Sequence, residues 1–184
     1  MTLEETLARY RDLRGRVDEK FAEILARYQD SFRCRSGCHS CCKPSLTINR
    51  LEAAAVAEYL QSRPERVAEL RSLAAANPHK GKRCTFLGSD GACGIYEARP
   101  LVCRSHGAPI QYKDGTKEDA LRLRDVCGLN FAGADIGQLP ADAVFNLDTL
   151  NTLLAVLSSQ VFGKDTSRVP LSVDGVLGAA PAAE

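Results

Sequence analysis

The sequence predicts a mainly α fold with a small β-hairpin, in which amphipathic helices pack against an irregular cysteine-rich core. Three observations carry that expectation. Long stretches near both ends repeat apolar residues at helical spacing, two short β-prone runs flank a Gly- and Asp-rich turn, and eight cysteines crowd the middle of the chain. At 184 residues the chain is long enough for one domain with a real core. A single domain is expected over residues 1–165, with an N-terminal helix at 2–29, a cysteine-cluster core at 34–130 and a C-terminal helix at 145–162. The Ala-, Pro- and Gly-bearing residues 166–184 read as a flexible tail.

Thr2 and Glu5 form a capping-box pattern that opens the first helix. Leu3, Leu7, Tyr10, Leu13, Val17, Phe21, Ile24, Leu25 and Tyr28 then follow at amphipathic spacing close to a heptad, with Arg14 interrupting the seam. Such a face either covers the chain's own core or pairs two copies as a coiled coil. Too few clean heptads are present to favour the second. Thr47 or Asn49 starts a second helix through Leu60, and Pro64, suited to a first helical turn, starts a third through about Ala76. Asn77-Pro78 closes that helix, and the basic run from His79 to Arg83 reads as a solvated loop.

Next, Cys84–Leu87 and Ala92–Tyr96 flank Gly88-Ser89-Asp90-Gly91, predicting a hairpin with Cys84 and Cys93 on opposing strands. Arg99-Pro100 starts a short helix bearing Cys103 and Arg104, and an Asp114-Gly115 turn precedes a polar stretch leading to Cys127. The strongly apolar helix from Phe145 to Phe162 is expected to be the most buried, and Gly163 stops it.

A net charge of +1 gives no general attraction to nucleic acid or to an anionic membrane surface. No apolar run reaches the ~18 residues of a membrane span. The charged start Met1-Thr2-Leu3-Glu4-Glu5 lacks a signal-peptide pattern. The expectation is a cytoplasmic protein with neither nucleic acid nor membrane as partner, in a compartment that keeps thiols reduced.

In that setting eight cysteines point to metal or redox chemistry rather than to a disulfide framework. Cys34, Cys38, Cys41 and Cys42 fall within nine residues, a density that packing does not require, because other small residues fill the same volume. As one helix they would share a stripe ~100° wide but spread over ~12 Å of axis. Zinc held by four thiolates needs sulfurs about 3.8 Å apart, so a regular helix cannot give all four to one ion. If Ser36-Gly37 breaks the helix, Cys38-His39-Ser40-Cys41 becomes a tight C-x2-C loop of the kind that grips a metal. The adjacent Cys41 and Cys42 diverge in either helix or strand, and so serve different metals or different corners of a polynuclear centre. Two arrangements stay open: two zinc sites sharing eight thiolates, or one iron–sulfur cluster on four, the others being structural or at a second site.

Cations accompany the thiols. Arg33 and Arg35 flank Cys34, Lys43 follows Cys42, Arg83 precedes Cys84, Arg104 follows Cys103, and Arg124 lies shortly before Cys127. A four-thiolate zinc centre is a dianion, and reduced clusters are also anionic; neighbouring cations lower each thiol's pKa and offset that charge. His39 and His106, each near a cysteine, are weaker candidates as ligands or as outer donors, and His79 reads as loop.

The series Cys34-x3-Cys38-x2-Cys41-Cys42, then Cys84-x-Phe86-Leu87, then Cys93-x-Ile95-Tyr96-x2-Arg99-Pro100-x2-Cys103-Arg104, resembles the YkgJ-like cysteine-cluster proteins. Their C-x2-C-x2-C-C-type signature is described as chelating zinc or iron. The resemblance runs from about Cys34 to Cys127, and its first gap is three residues here rather than two. It implies metal or iron–sulfur binding. The same domain type occurs in flagellin lysine N-methylases, but no G-x-G-x-x-G loop or other methyl-donor pattern carries that activity over to this chain.

Together these observations describe a small cytoplasmic protein that binds an iron–sulfur cluster or zinc. Its ligands would be Cys38, Cys41, Cys42, Cys93 and Cys103, with Cys34, Cys84 and Cys127 completing the set. Arg99 and Arg104 would stabilise the anionic centre, and Pro100 would fix the turn that presents Cys103. Iron implies electron transfer or redox sensing; zinc implies a structural or metal-handling role. The partners are the metal ion or cluster, with a protein partner or a homodimer through the N-terminal helix also open. Two alternatives stand beside this reading: a metal-dependent enzyme, or accessory to a modifying enzyme, acting near Tyr96, Arg99 and Arg104, and a metal-free thiol redox switch.

Overall fold

In the computed structural model the capping box closes as its residues dictate: the Thr2 amide donates to Glu5 Oε2 at 2.9 Å, and the Glu5 amide to Thr2 Oγ1 at 3.2 Å. The helix so opened, α1, spans Leu3–Arg27. Its stripe of Leu7, Tyr10, Leu13, Val17 and Ile24 is buried within the chain itself, which leaves little of the heptad seam for a second copy. The structure describes residues 1–35, 37–43, 45–76, 83–115 and 120–179. Asn77-Pro78 and most of the basic run, His79 included, lie outside them. Among the described residues the protein is mainly helical, with small β elements.

Two compact units divide the chain: Met1–Tyr10 with Ser36–Pro100 and Ala155–Glu184, and Arg11–Arg35 with Leu101–Leu154. The first is built around α2 (Arg50–Gln61), whose N-cap Asn49 accepts the Leu51 amide at 2.8 Å while Glu52 Oε2 accepts the Asn49 amide at 3.1 Å. Leu51, the alanines from Ala53 to Ala57, Val56 and Leu60 are buried, so α2 is enclosed on several faces. It packs against α3 (Pro64–Ala76) and α6 (Val173–Gly178). Strand β1 (Thr47–Asn49) pairs antiparallel with β5 (Arg168–Pro170), Ile48 opposite Val169. Residues after 166, expected as a flexible tail, therefore supply a strand and a helix. Their buried Val169, Leu171 and Val173 alternate, and Val173 and Val176 fall three apart on α6, patterns that composition alone obscures.

The second unit holds most of α1, the short α4 (Leu101–Ser105) and a three-stranded sheet in the order β3-β2-β4. In that sheet β2 (Ile110–Lys113) pairs antiparallel with β3 (Arg122–Asp125), and parallel with β4 (Phe145–Asn146). Beyond the paired residues the Asp114 amide donates to the Leu121 carbonyl at 2.8 Å. The expected cysteine hairpin is smaller than its pattern suggests, a single antiparallel bridge between Leu87 and Cys93.

Helix α5 runs over Leu147–Phe162 and ends at Gly163, whose φ of 59° is the left-handed stop expected of glycine. It is not the most buried helix. Among its residues only Leu154 and Ser158 are buried, Leu153 and Val156 being exposed, whereas α2 has eight buried positions. High apolar content marked α5, but the small alanines of α2 allow the closer enclosure.

Candidate metal centre

The described residues between Cys34 and Cys42 are not helical; Gly37 has φ +80°, and Cys38-His39-Ser40-Cys41 forms the tight loop. The Cys42 amide donates to the His39 carbonyl at 2.9 Å and the Lys43 amide to the Cys41 carbonyl at 2.8 Å. His39 Nδ1 lies 3.1 Å from the Gly37 carbonyl oxygen, so this ring is engaged with its own loop.

The second thiol-bearing segment is fastened to the first. The Cys84 amide donates to the Cys42 carbonyl at 3.1 Å. Gly91, at φ +79°, lies so close that an added Cβ would come within 3.3 Å of the Gly37 oxygen and 3.8 Å of the His39 ring. Within the turn, Gly88 N–H bonds the Ala92 carbonyl at 2.8 Å and Gly94 N–H the Phe86 carbonyl at 2.7 Å, holding the Cys84 and Cys93 limbs side by side. Phe86 and Ile95, both buried, anchor the two limbs in the core.

The Cys84 and Cys93 thiols are acted on in the same way, burial opposing the charged form and the backbone N–H two residues on, of Phe86 or Ile95, favouring it. An amide aimed at sulfur favours the thiolate. Burial nevertheless pushes the Cys84 thiol up, the Phe86 amide opposes it, and the nearby Cys93 and Cys41 add to the rise. Burial likewise raises the Cys93 thiol, against the Ile95 amide and the Arg99 charge. Sulfur is a donor that zinc and iron both accept, so the cysteines on these two fastened segments are a donor set suited to such a cation. An open cavity of about 250 Å³, lined in part by Arg66, Asp90, Cys93 and Gly94, reaches Cys93 from solvent.

The predicted ligands thus separate by unit. Cys38, Cys41, Cys42, Cys84 and Cys93 belong to the first, and Cys34, Cys103 and Cys127 to the second. All eight are thiols. Among the described residues no three His, Cys, Asp or Glu side chains are drawn together into a group that could hold a metal ion. Donor chemistry in the first unit fits zinc or iron, while the sulfurs stop short of a closed coordination shell.

Of the predicted cations, Arg99 bears on Cys93 while its guanidinium lies 3.8 Å over the Tyr96 ring. Arg104 is buried and bonded to Asp18 in the second unit. Arg124 donates to the carbonyls of Ile136, Gly137 and Leu139 at 2.7–3.0 Å, fixing a loop rather than serving Cys127. His106 is exposed at the end of α4.

One residue of the second unit was not legible as part of any thiol arrangement. Asn130, 2% exposed, accepts the Arg33 and Cys34 amides on Oδ1 at 2.8 and 3.3 Å, and donates from Nδ2 to Cys34 Sγ at 3.2 Å and the Gly107 carbonyl at 2.7 Å. A lone Asn after Cys127-Gly128-Leu129 carries no pattern that would reveal this.

No helix among the described residues is long and apolar enough to cross a membrane. No curated protein and no solved structure matches the chain. Residues 33–128 match the model of the CxxCxxCC family, whose description reads "Putative zinc- or iron-chelating domain". That match takes in all eight cysteines and more than half of the sequence: the chain belongs to the CxxCxxCC family.

Proposed function

We propose that this protein chelates zinc or iron through thiolates of its first unit, with Cys84 and Cys93 as the anchoring pair and Cys38, Cys41 and Cys42 supplying the remaining donors. The observation that carries this reading is the fastening of the Cys84 and Cys93 limbs, bridged at Leu87 and Cys93, to the Cys38–Cys42 loop by the Cys84 amide on the Cys42 carbonyl and the close approach of Gly91 to Gly37. Amides directed at sulfur orient a ligand and help it carry charge, as outer donors do at metal centres. A cation held by Cys84, Cys93 and Cys41 would offset the charge that these thiols set against one another.

Zinc would supply a closed structural or storage site, and iron, alone or as a cluster, would supply electron transfer or redox sensing. In either case Arg99 offsets charge beside Cys93, and a reducing cytoplasm keeps the thiols competent. The test is metal analysis with absorption spectroscopy on anaerobically purified protein, compared with the Cys84→Ser and Cys93→Ser variants. Stoichiometric zinc or iron in the wild type, lost in both variants, supports the reading. Protein that carries neither metal and takes up neither on reconstitution overturns it, and leaves the thiol switch as the account of these cysteines.

A further inference from the structure

His39 is the one histidine within the Cys38–Cys42 loop, and the loop decides which of its nitrogens carries the proton. Its Nδ1 lies 3.1 Å from the Gly37 carbonyl oxygen. A carbonyl oxygen only accepts, so Nδ1 is the donor, and in the neutral ring the proton sits there. Nε2, across the ring, is then the bare nitrogen with its lone pair. Among the described residues the Gly37 carbonyl is the ring's one hydrogen-bond partner. Imidazole binds metals in this form: one nitrogen gives its N–H to a carbonyl or carboxylate, and the other holds the ion.

The ring is also placed among thiols of its own unit. The Cys42 amide donates to the His39 carbonyl at 2.9 Å, closing a four-residue turn whose ends, His39 and Cys42, have Cα atoms within about 7 Å. The Cys42 carbonyl in turn takes the Cys84 amide at 3.1 Å. The turn that leads to Cys93 lies against the ring itself. A Cβ on Gly91 would stand 3.8 Å from both Cγ and Nδ1 of His39. That approach is built in, because Gly91 has φ +79° and its amide bonds the Gly88 carbonyl at 3.1 Å. The imidazole, Cys42, Cys84 and Cys93 all belong to the first unit.

We infer that His39 is a ligand of the metal centre, binding through Nε2 beside the Cys84 and Cys93 thiolates and a thiolate of its own loop, with the Gly37 carbonyl holding the ring. This rests on the chelation reading and deepens it, since the shell then mixes nitrogen with sulfur. Zinc held by three thiolates and one imidazole carries one negative charge where four thiolates leave two, and imidazole suits zinc and iron alike. The donors stop short of a closed shell as they stand. His39 can enter it without shedding a proton from Nε2, as a metal requires of its ligands.

The test uses the full chain with nitrogen-15-labelled histidine, reduced, stripped of metal and then loaded with cadmium-113, a nuclear-spin ion that thiolate and imidazole both bind. Long-range proton–nitrogen spectra read every ring nitrogen, and His39 is identified as the signals missing from His39→Gln. Expected before loading is a proton on Nδ1. Expected after loading is a splitting of the His39 Nε2 signal by through-bond coupling to cadmium, which an outer donor or a bystander ring does not show. Cobalt titrations of the same proteins, with circular dichroism as the check on folding, should show affinity lowered about 100-fold or more in His39→Gln, at or beyond the range for loss of an outer donor, and largely restored in His39→Cys. An unsplit Nε2 in cadmium-loaded protein overturns the inference, as does a proton on Nε2 before loading, or unchanged cobalt affinity in His39→Gln. With metal still bound, those results remove His39 alone and leave chelation by thiolates standing. Protein that takes up neither cadmium nor cobalt ends the chelation reading and this inference together. Should His39→Gln not fold, the wild-type spectra decide, with His39 identified by its proximity to Gly91.

Discussion

Replacing Gly94 with Ala tests whether the Cys84 and Cys93 limbs are held at a fixed spacing. An added Cβ would meet Leu70 Cδ2 at 2.7 Å and the Phe86 carbonyl oxygen at 3.3 Å. Leu70 and Phe86 are both fully buried, so neither retreats freely, and the Gly94–Phe86 hydrogen bond of 2.7 Å must lengthen. Overpacking of this kind costs about 1–3 kcal/mol. Ala also restricts the unfolded chain, which returns about 0.4–1 kcal/mol where the backbone conformation suits it. At the middle of both ranges the net expectation is a loss of about 1.3 kcal/mol, read as a lower urea midpoint at unchanged slope. A second background isolates the cause. Leu70→Ala alone costs about 2–5 kcal/mol and empties the space the new methyl needs, so Gly94→Ala should cost little or nothing when added to it. Equal penalties in both backgrounds, or none in the wild type, would refute the steric argument.

Three other perturbations follow from the same structure. Asn49→Ala removes the cap of the most enclosed helix and should cost about 1 kcal/mol, a fall of about 2–4 °C in a thermal melt. Asp165 is held at about 2, first by the Ser167 amide, then by the Ser167 side chain and Arg50. A carboxyl lowered on folding contributes stability above its unfolded value near 3.8, and that contribution fades as pH falls toward 2. Asp165→Asn should therefore unfold at lower urea than wild type at pH 7, and the two midpoints should converge by pH 2–2.5, as parallel urea titrations would show. Arg99→Gln removes the charge beside Cys93 and should weaken zinc affinity at low ionic strength, a difference that shrinks as salt screens it. A salt-independent loss in competition titrations would point to packing on Tyr96 instead.

How far the sequence could be read depended on whether a feature is local. The capping boxes at Thr2 and Asn49, the Pro64 helix start and the Gly163 stop each involve neighbours in the chain, so spacing alone reveals them. The break at Gly37 was one of two arrangements, helix or turn, that the cysteine spacing left open. Long-range pairing was not legible. Strand β5 exists because Val169 finds Ile48 across more than a hundred residues, and nothing in its small-residue surroundings announces a strand. Burial of α5 was overestimated because apolar content says which residues seek cover, not which neighbours provide it. The cations near the thiols were read as one electrostatic set. Structure separates them: Arg99 bears on Cys93, Arg104 is bonded to Asp18, and Arg124 gathers three carbonyls. Asn130 was invisible because its role depends on four groups drawn from two distant segments, residues 33–34 and Gly107.

Thiol footprinting on the intact protein is the most direct trial of metal chelation by the first unit. Zinc-loaded and metal-stripped samples are alkylated under reducing conditions, and each cysteine's modification rate is read by mass spectrometry. The account predicts that zinc slows Cys84 and Cys93 together with members of the Cys38, Cys41 and Cys42 group, and that a chelator restores all of them at once. Unchanged rates at Cys84 and Cys93 in protein saturated with zinc would contradict it.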